Sequence, residues 1–314
     1  MNKLSIFILK TLRKLYAKAF RVLPIPRLAC EEDPDIASQI IYNKLMDHQP
    51  CMIARFGSTE LITMVNYLGV KHPNKNILKY IKGESLAWWW NKGIMDQMQS
   101  WSGFFPPSQE KIEQFCEMML DDMKEVDVLG SWLAEENFFD TELEAKKVHL
   151  KQLEPFYTKN PWSRALKGKK VLVVHPFAET IKSQYQRREL LFDNKDVLPQ
   201  FDLKVVKAVQ SIAGEETKFN DWFEALEFMK SEIDNIDYDF CLIGAGAYGF
   251  PLAAHVKRQG KKAIHLGGIL QVLFGIKGRR FDDLFSDFYN EFWVRPSEDE
   301  KPKNAHTVEN GCYW

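Results

Sequence analysis

Asp239-Phe-Cys-Leu-Ile243 runs straight into Gly244-Ala-Gly246-Ala-Tyr-Gly249, and a helix-like segment from Phe250 to Gln259 then carries the chain to Gly260. A second apolar run, Ala263 to Leu266, follows and ends in Gly267-Gly268. Strand, glycine turn, helix and strand in that order predict a parallel pair joined by a crossover. The N-H groups of the helix N-terminus then lie beside the turn, where a phosphate can meet them. The spacing fits a G-x-G-x-x-G dinucleotide fingerprint, but that fingerprint also needs a carboxylate about 20 residues on. His265-Leu266-Gly267-Gly268 offers none. The turn therefore reads either as a contact for a nucleotide or phosphate, with redox use of NAD disfavoured, or as tight helix-strand packing.

Upstream, the same alternation repeats. Lys169-Lys170-Val-Leu-Val-Val174 is a strand ended by His175-Pro176, with a helix-like stretch from Glu179 or Thr180 through Leu191. Val205 to Val209 gives another strand and Thr217 to Ile233 another amphipathic helix. Further strands are expected at Cys51 and at Val126 to Gly130, about six in all. The fold class is α/β, Rossmann-like, with a mostly parallel sheet and helices on both faces. In such sheets ligands sit at the carboxyl ends of the strands, which places His175 at a reactive position as base, phosphate donor or structural residue.

Length and composition agree with a soluble α/β protein. The 314 residues can bury a large core, and a formal charge of -1 gives no argument for a polyanion, so no nucleic acid partner is expected. The five cysteines are scattered without a C-x-x-C pair and read as reduced core residues of a cytoplasmic protein. The aromatic load of 9 Trp, 10 Tyr and 22 Phe suits both a large core and stacking on sugars.

Cys51-Met-Ile-Ala-Arg55-Phe-Gly57-Ser58-Thr-Glu60 is a second strand, glycine turn and helix start, with Ser58 expected as N-cap. It brings Arg55 and Glu60 to a strand end; Glu60 alternatively serves only the helix dipole. Trp88-Trp89-Trp90 is expected on a helix, facing either an aromatic groove or neighbouring elements, and Ser108 is expected to cap a helix to Lys124. The Trp132 to Phe156 region reads as helix-forming without evident chemistry. Gly275-Ile-Lys-Gly278-Arg279-Arg280 reads as a diphosphate clamp or a solvated basic loop.

The ends differ from the body. Residues 1–23 carry Lys3, Lys10, Arg13, Lys14, Lys18 and Arg21 with no acid before Glu31. Leu4, Ile8, Leu9, Leu12, Leu15, Tyr16 and Ala19 gather opposite the cations on a helical wheel. Such a helix either binds an anionic membrane surface or packs on its own protein. Pro24 and Pro26 end it, so the expected units are a helix and linker over 1–28, the Rossmann-like domain over 29–296 and a polar tail over 297–314. The tail finishes on Gly311-Cys-Tyr-Trp314, an aromatic end expected to dock back.

The run Ala54-Arg55-Phe56-Gly57-Ser58-Thr59-Glu60 resembles the R-[YF]-G-x-x-E signature of bacterial glycosyltransferases of the GT-D fold. The His265 to Phe281 run and the aromatic ending resemble members of that group found in polysaccharide gene clusters. The resemblance implies transfer of a sugar from a nucleotide-sugar donor, UDP-linked, to a saccharide or lipid-linked acceptor at the inner face of the membrane. Its signature places Arg55, Gly57, Ser58 and Glu60 at the donor; the glycine turns at Gly244, Gly246, Gly249, Gly267 and Gly268, with Arg279 and Arg280, are the candidates to hold the leaving diphosphate, and an inverting transfer also needs a base, for which Glu60 and His175 are the candidates, Glu60 rather in donor binding. In such relatives an Asp-x-Glu pair binds Mn²⁺ or Mg²⁺ and the donor. Glu60 matches the Glu, but Ser58 stands at the Asp position, and a neutral hydroxyl is a poor ligand for these ions. Two alternatives follow, a non-catalytic nucleotide-sugar-binding partner of a polysaccharide assembly complex and an NAD-dependent enzyme.

Overall fold

The structure, a computed structural model, describes residues 1–308 and 311–314. In chain order its elements are α1 (Lys3–Ala19), α2 (Pro34–Met46), β1 (Cys51–Ala54), α3 (Ser58–Lys71), α4 (Ile77–Lys82), α5 (Lys92–Ser100), α6 (Gln109–Met123) and β2 (Val128–Ser131). There follow β3 (Lys146–His149), β4 (Lys170–His175), α7 (Ala178–Gln186), β5 (Asp202–Lys207), α8 (Trp222–Asp234), β6 (Phe240–Ile243), α9 (Gly249–Arg258), β7 (Lys262–His265), α10 (Leu270–Leu273) and α11 (Arg279–Phe285). Seven strands form one sheet in the order β3-β2-β1-β7-β6-β4-β5, and neighbours pair parallel throughout.

A sheet covered on both faces needs strands that are apolar on both sides, and the interior residues of the central strands meet that need. Val171 and Val173 of β4 enter one core cluster while Leu172 and Val174 enter the other. Phe240 and Leu242 of β6 alternate in the same way with Cys241 and Ile243. Residues of α2, α7, α10 and α11 cover the first face; residues of α3, α5, α6, α8 and α9 cover the second. The expected class is therefore correct.

Two expectations change. The Trp132 to Phe156 region is not helical throughout: it holds β3, the seventh strand, between short 3₁₀ turns. Only Val148 of β3 is buried, because an edge strand hides little, and the apolar period that marks a strand is missing. Trp88 to Trp90 lie outside any helix; Trp89 packs edge-on to Tyr80, so packing rather than a groove explains it. The polar tail is tied to the domain at Glu300. Glu300 is buried and accepts hydrogen bonds from the Glu179 N-H (2.7 Å), the Thr180 N-H and the Thr180 hydroxyl, capping α7 from the far end of the chain. Among the described residues no helix is long and apolar enough to cross a membrane.

Candidate functional site

The carboxyl ends of β1, β4, β6 and β7 open into one cavity of about 610 Å³. Arg55, His175, Gly244 and Leu266 follow or end those strands, so the parallel topology alone brings together residues far apart in sequence. Of the expected site residues, Arg55, Gly57, Ser58, Glu60, His175, Gly244, Gly246, Gly267, Gly268 and Arg280 line it. Gly249 and Arg279 do not. A side chain at Gly249 would strike the His265 ring, so this glycine serves helix-strand packing, while the Arg279 backbone N-H reaches the Trp314 carbonyl.

One wall is the start of α3. Gly57, not Ser58, is the N-cap, and no side chain caps the helix, leaving the first-turn N-H groups free of a capping oxygen. Ser58 is exposed at the first helical position. The Glu60 carboxylate folds back over Gly57, where any Cβ would collide with it. The Arg55 guanidinium lies over the Trp132 ring, 5.3 Å from its centroid, and Trp132 in turn donates its indole N-H to the Phe56 carbonyl at 3.1 Å. Burial lowers the Arg55 pKa, and Glu60 and Tyr313 oppose that shift while Arg280 adds to it. The guanidinium stays charged in any case.

The opposite wall is glycine-rich backbone. At Gly244 a Cβ would come within 2.7 Å of the Gly267 carbonyl and 2.8 Å of the His175 ring, so only glycine lets these three strand ends converge. The Gly246 turn spends its Ala247 N-H on the Ser102 carbonyl, which leaves α3 as the better anion-facing helix start. At Gly268 a Cβ would meet the Tyr313 ring at 2.6 Å. Tyr313 and Trp314 arrive from the aromatic ending, which docks back as expected. Gln271 Nε2 donates to the Tyr313 carbonyl at 3.1 Å, and Arg280 lies 5.0 Å over the Tyr313 ring and donates to its hydroxyl at 3.1 Å.

Three titratable groups of the cavity are shifted by burial. His175 accepts from the Phe177 N-H on Nδ1 at 3.0 Å, and burial drops its pKa to about 3. The ring is neutral with its proton on Nε2, so it presents a donor rather than a base. His265 is held to about 3 by burial and by the nearby Arg55 charge. Glu154, just beyond β3, is half-buried in the same cavity beside Leu150 and Leu153. Burial pushes its carboxyl up to about 7, against the pull of the Lys151 charge and a hydrogen bond with Tyr157. Lys182, in the first turns of α7, pairs with Glu179 on the surface and takes no part in the cavity.

Trp132 and Glu154 carried no role in the sequence reading. Trp132 follows directly on β2, and position after a strand end is a signal that could have marked it. Glu154 is a lone acid between Leu153 and Pro155-Phe156, an arrangement that favours a buried carboxyl.

A model of the GT-D fold-like domain matches residues 33–273. The chain belongs to the GT-D-like family. Two solved structures match this GT-D-like chain over most of their length, both of domain of unknown function 1792 (DUF1792). One is a selenomethionine-substituted structure, 16% identical, covering 84% of this chain and 82% of its own, with a TM-score of 0.34. The other, described as having a distinct glycosyltransferase fold, is 14% identical over 82% and 81%, with a TM-score of 0.32. No curated protein matches the sequence. Arg280, Glu154 and the aromatic ending show how the site extends around the family's segment: Glu154 lies inside it, whereas Arg280, Tyr313 and Trp314 lie beyond its last matched residue.

Proposed function

We propose that the chain is a glycosyltransferase that moves a sugar from a UDP-linked donor to a saccharide or lipid-linked acceptor during cell-surface polysaccharide synthesis. The observation that carries this reading is the convergence, in one cavity of a GT-D-like chain, of Arg55, Arg280, the uncapped α3 N-terminus and the glycine backbone at Gly244 and Gly267. A leaving diphosphate needs positive charge and N-H donors, and those groups supply both. Trp132 stacks on Arg55 and holds its charge in place.

The donor set does not suit a divalent ion. Glu60 is the one carboxylate of the signature, Ser58 contributes a hydroxyl, and among the described residues no cluster of three His, Cys, Asp or Glu could hold a metal. No step is therefore routed through Mn²⁺ or Mg²⁺; cations and N-H groups carry the diphosphate charge.

For the base, Glu60 is turned onto Gly57 and His175 offers a proton, so Glu154 takes the role. Its carboxylate removes the proton of the acceptor hydroxyl as that oxygen bonds the anomeric carbon and the bond to the diphosphate breaks. A carboxyl near 7 is suited to this task at neutral pH. Ser58 favours one other reading, the non-catalytic partner that binds a nucleotide sugar without turning it over.

Titrating the intrinsic fluorescence with UDP, UDP-sugars and NAD tests the donor site, followed by assay of transfer to a lipid-linked acceptor extract. Binding of UDP-sugars with transfer supports the proposal. Binding with neither transfer nor donor hydrolysis selects the non-catalytic partner, and binding of NAD alone refutes both.

A further inference from the structure

The first helix does not bury the face that its sequence makes most apolar. At 100° per residue, Leu4, Ile8, Leu12 and Leu15 share a sector of about 80°, and Lys10, Lys14 and Lys18 share the next. The structure turns a third sector inward. Leu9 packs with Tyr80 and Trp89, and Arg13 stacks 4.7 Å over Tyr80 while donating to the Ser85 carbonyl at 3.0 Å. The leucine sector faces solvent: Leu4 is 68% and Leu15 59% exposed, with Ile8 and Leu12 also open. Phe7, among the lysines, is 67% exposed.

The element that α1 packs on repeats this character. α4 exposes Ile77 and Leu78, and Lys75, Lys79 and Lys82 surround them with no acidic residue between Glu60 and Glu84. Beyond α1, Phe20, Val22, Leu23 and Ile25 are exposed as well. Isolated exposed apolar residues are ordinary, but so many on two packed helices mark an interaction surface.

We propose that α1 and α4 together form a docking surface for an anionic lipid bilayer. The charge selects the occupant. A second copy would set Lys10, Lys14 and Lys18 against their own kind, with no acid on either helix to answer them. A bilayer with anionic headgroups accepts both parts, since leucine and phenylalanine side chains enter the acyl boundary and lysines reach the headgroups. Arg13, turned inward onto Tyr80, ties α1 to α4 so that the two present one surface. The inference does not rest on the transferase reading, and its readout needs no donor or acceptor.

The test is sedimentation of the full chain with phosphatidylcholine vesicles and with vesicles that also contain phosphatidylglycerol, at low and high salt. The chain should pellet with the anionic vesicles, weakly or not at all with the neutral ones, and less at high salt. Ile8→Glu/Leu15→Glu should weaken anionic binding at least tenfold, and Leu78→Glu, on the other helix, at least fivefold. Lys10→Gln/Lys14→Gln/Lys18→Gln should cost about fivefold per lysine and flatten the salt dependence. All these side chains are exposed, so circular dichroism and thermal melting should match the parent chain and confirm folding. A parent chain that stays in the supernatant with anionic vesicles overturns the proposal, as does unchanged binding of the Ile8/Leu15 variant. Unchanged binding of Leu78→Glu overturns the two-helix surface. A dimer that Ile8→Glu/Leu15→Glu splits, without vesicle binding, assigns the stripe to a second copy instead.

Discussion

Replacing Glu154 by Gln separates its two roles, because one change alters both the rate and the pH dependence of stability. In the folded chain its carboxyl titrates at about 7 rather than 4.5. A raised carboxyl favours the fold while protonated, so its contribution is full below about pH 4.5 and is lost as pH rises through about 7. At 1.36 kcal/mol per pH unit, that interval sets a ceiling of about 3 kcal/mol. The group is half-buried and keeps some water, so about 1–2 kcal/mol is the expected size. Urea denaturation of both proteins from pH 5 to pH 8 should show Glu154→Gln gaining on the parent by that amount. Asp122, raised to about 6 by burial, titrates in the same window but is present in both proteins and cancels in the difference. In the transfer assay the parent rate should climb to a plateau above pH 7. Glu154→Gln should lose about 10²- to 10⁴-fold in rate together with that acidic limb. Stabilities that run parallel across pH 5–8 would refute the buried, near-neutral carboxyl, and an unchanged rate would refute the base.

Other changes probe the walls. Gly57→Ala keeps an allowed backbone, at φ -73°, but its Cβ displaces the Glu60 carboxylate; UDP affinity by calorimetry should fall at least tenfold while stability shifts by no more than about 1 kcal/mol. Gly268→Val drives into the Tyr313 ring and should weaken UDP binding without unfolding the chain; retained affinity would remove Tyr313 from the donor wall. Glu300→Ala leaves the Glu179 and Thr180 N-H groups unanswered and should cost about 2 kcal/mol in a thermal melt, with Glu300→Gln recovering part of it.

The sequence was most informative where packing and local pattern demand the same residues. Val171 to Val174 of β4 and all of β6 are apolar because both faces are covered, and their positions were plain for that reason. β5 begins at Asp202, three residues before its expected start, because as an edge strand it tolerates the polar Asp202 and Lys204 in its first half. α8 begins only at Trp222, since Asp221 rather than Thr217 caps it by accepting the Glu224 N-H at 2.9 Å. In the site, Arg55 and the two glycine turns were legible because strand ends and glycines mark themselves. Glu154 was not, since its environment is made by Leu150 and Leu153 together with residues more than 120 positions away, Phe281 and Phe285, which share its cavity. The capping by Glu300 was equally hidden, because an acid in a polar tail looks the same whether solvated or buried.

The cavity draws its wall from Arg55 at one extreme and Trp314 at the other, with the family's segment ending between them at residue 273. Any molecule that fills it bolts the α3 end of the sheet to the C-terminal residues. Occupancy and cohesion are then a single property. A ligand at a hundred times its Kd would add about 2.7 kcal/mol to the stability of the whole chain, so a melting curve can report on the site without any chemistry taking place.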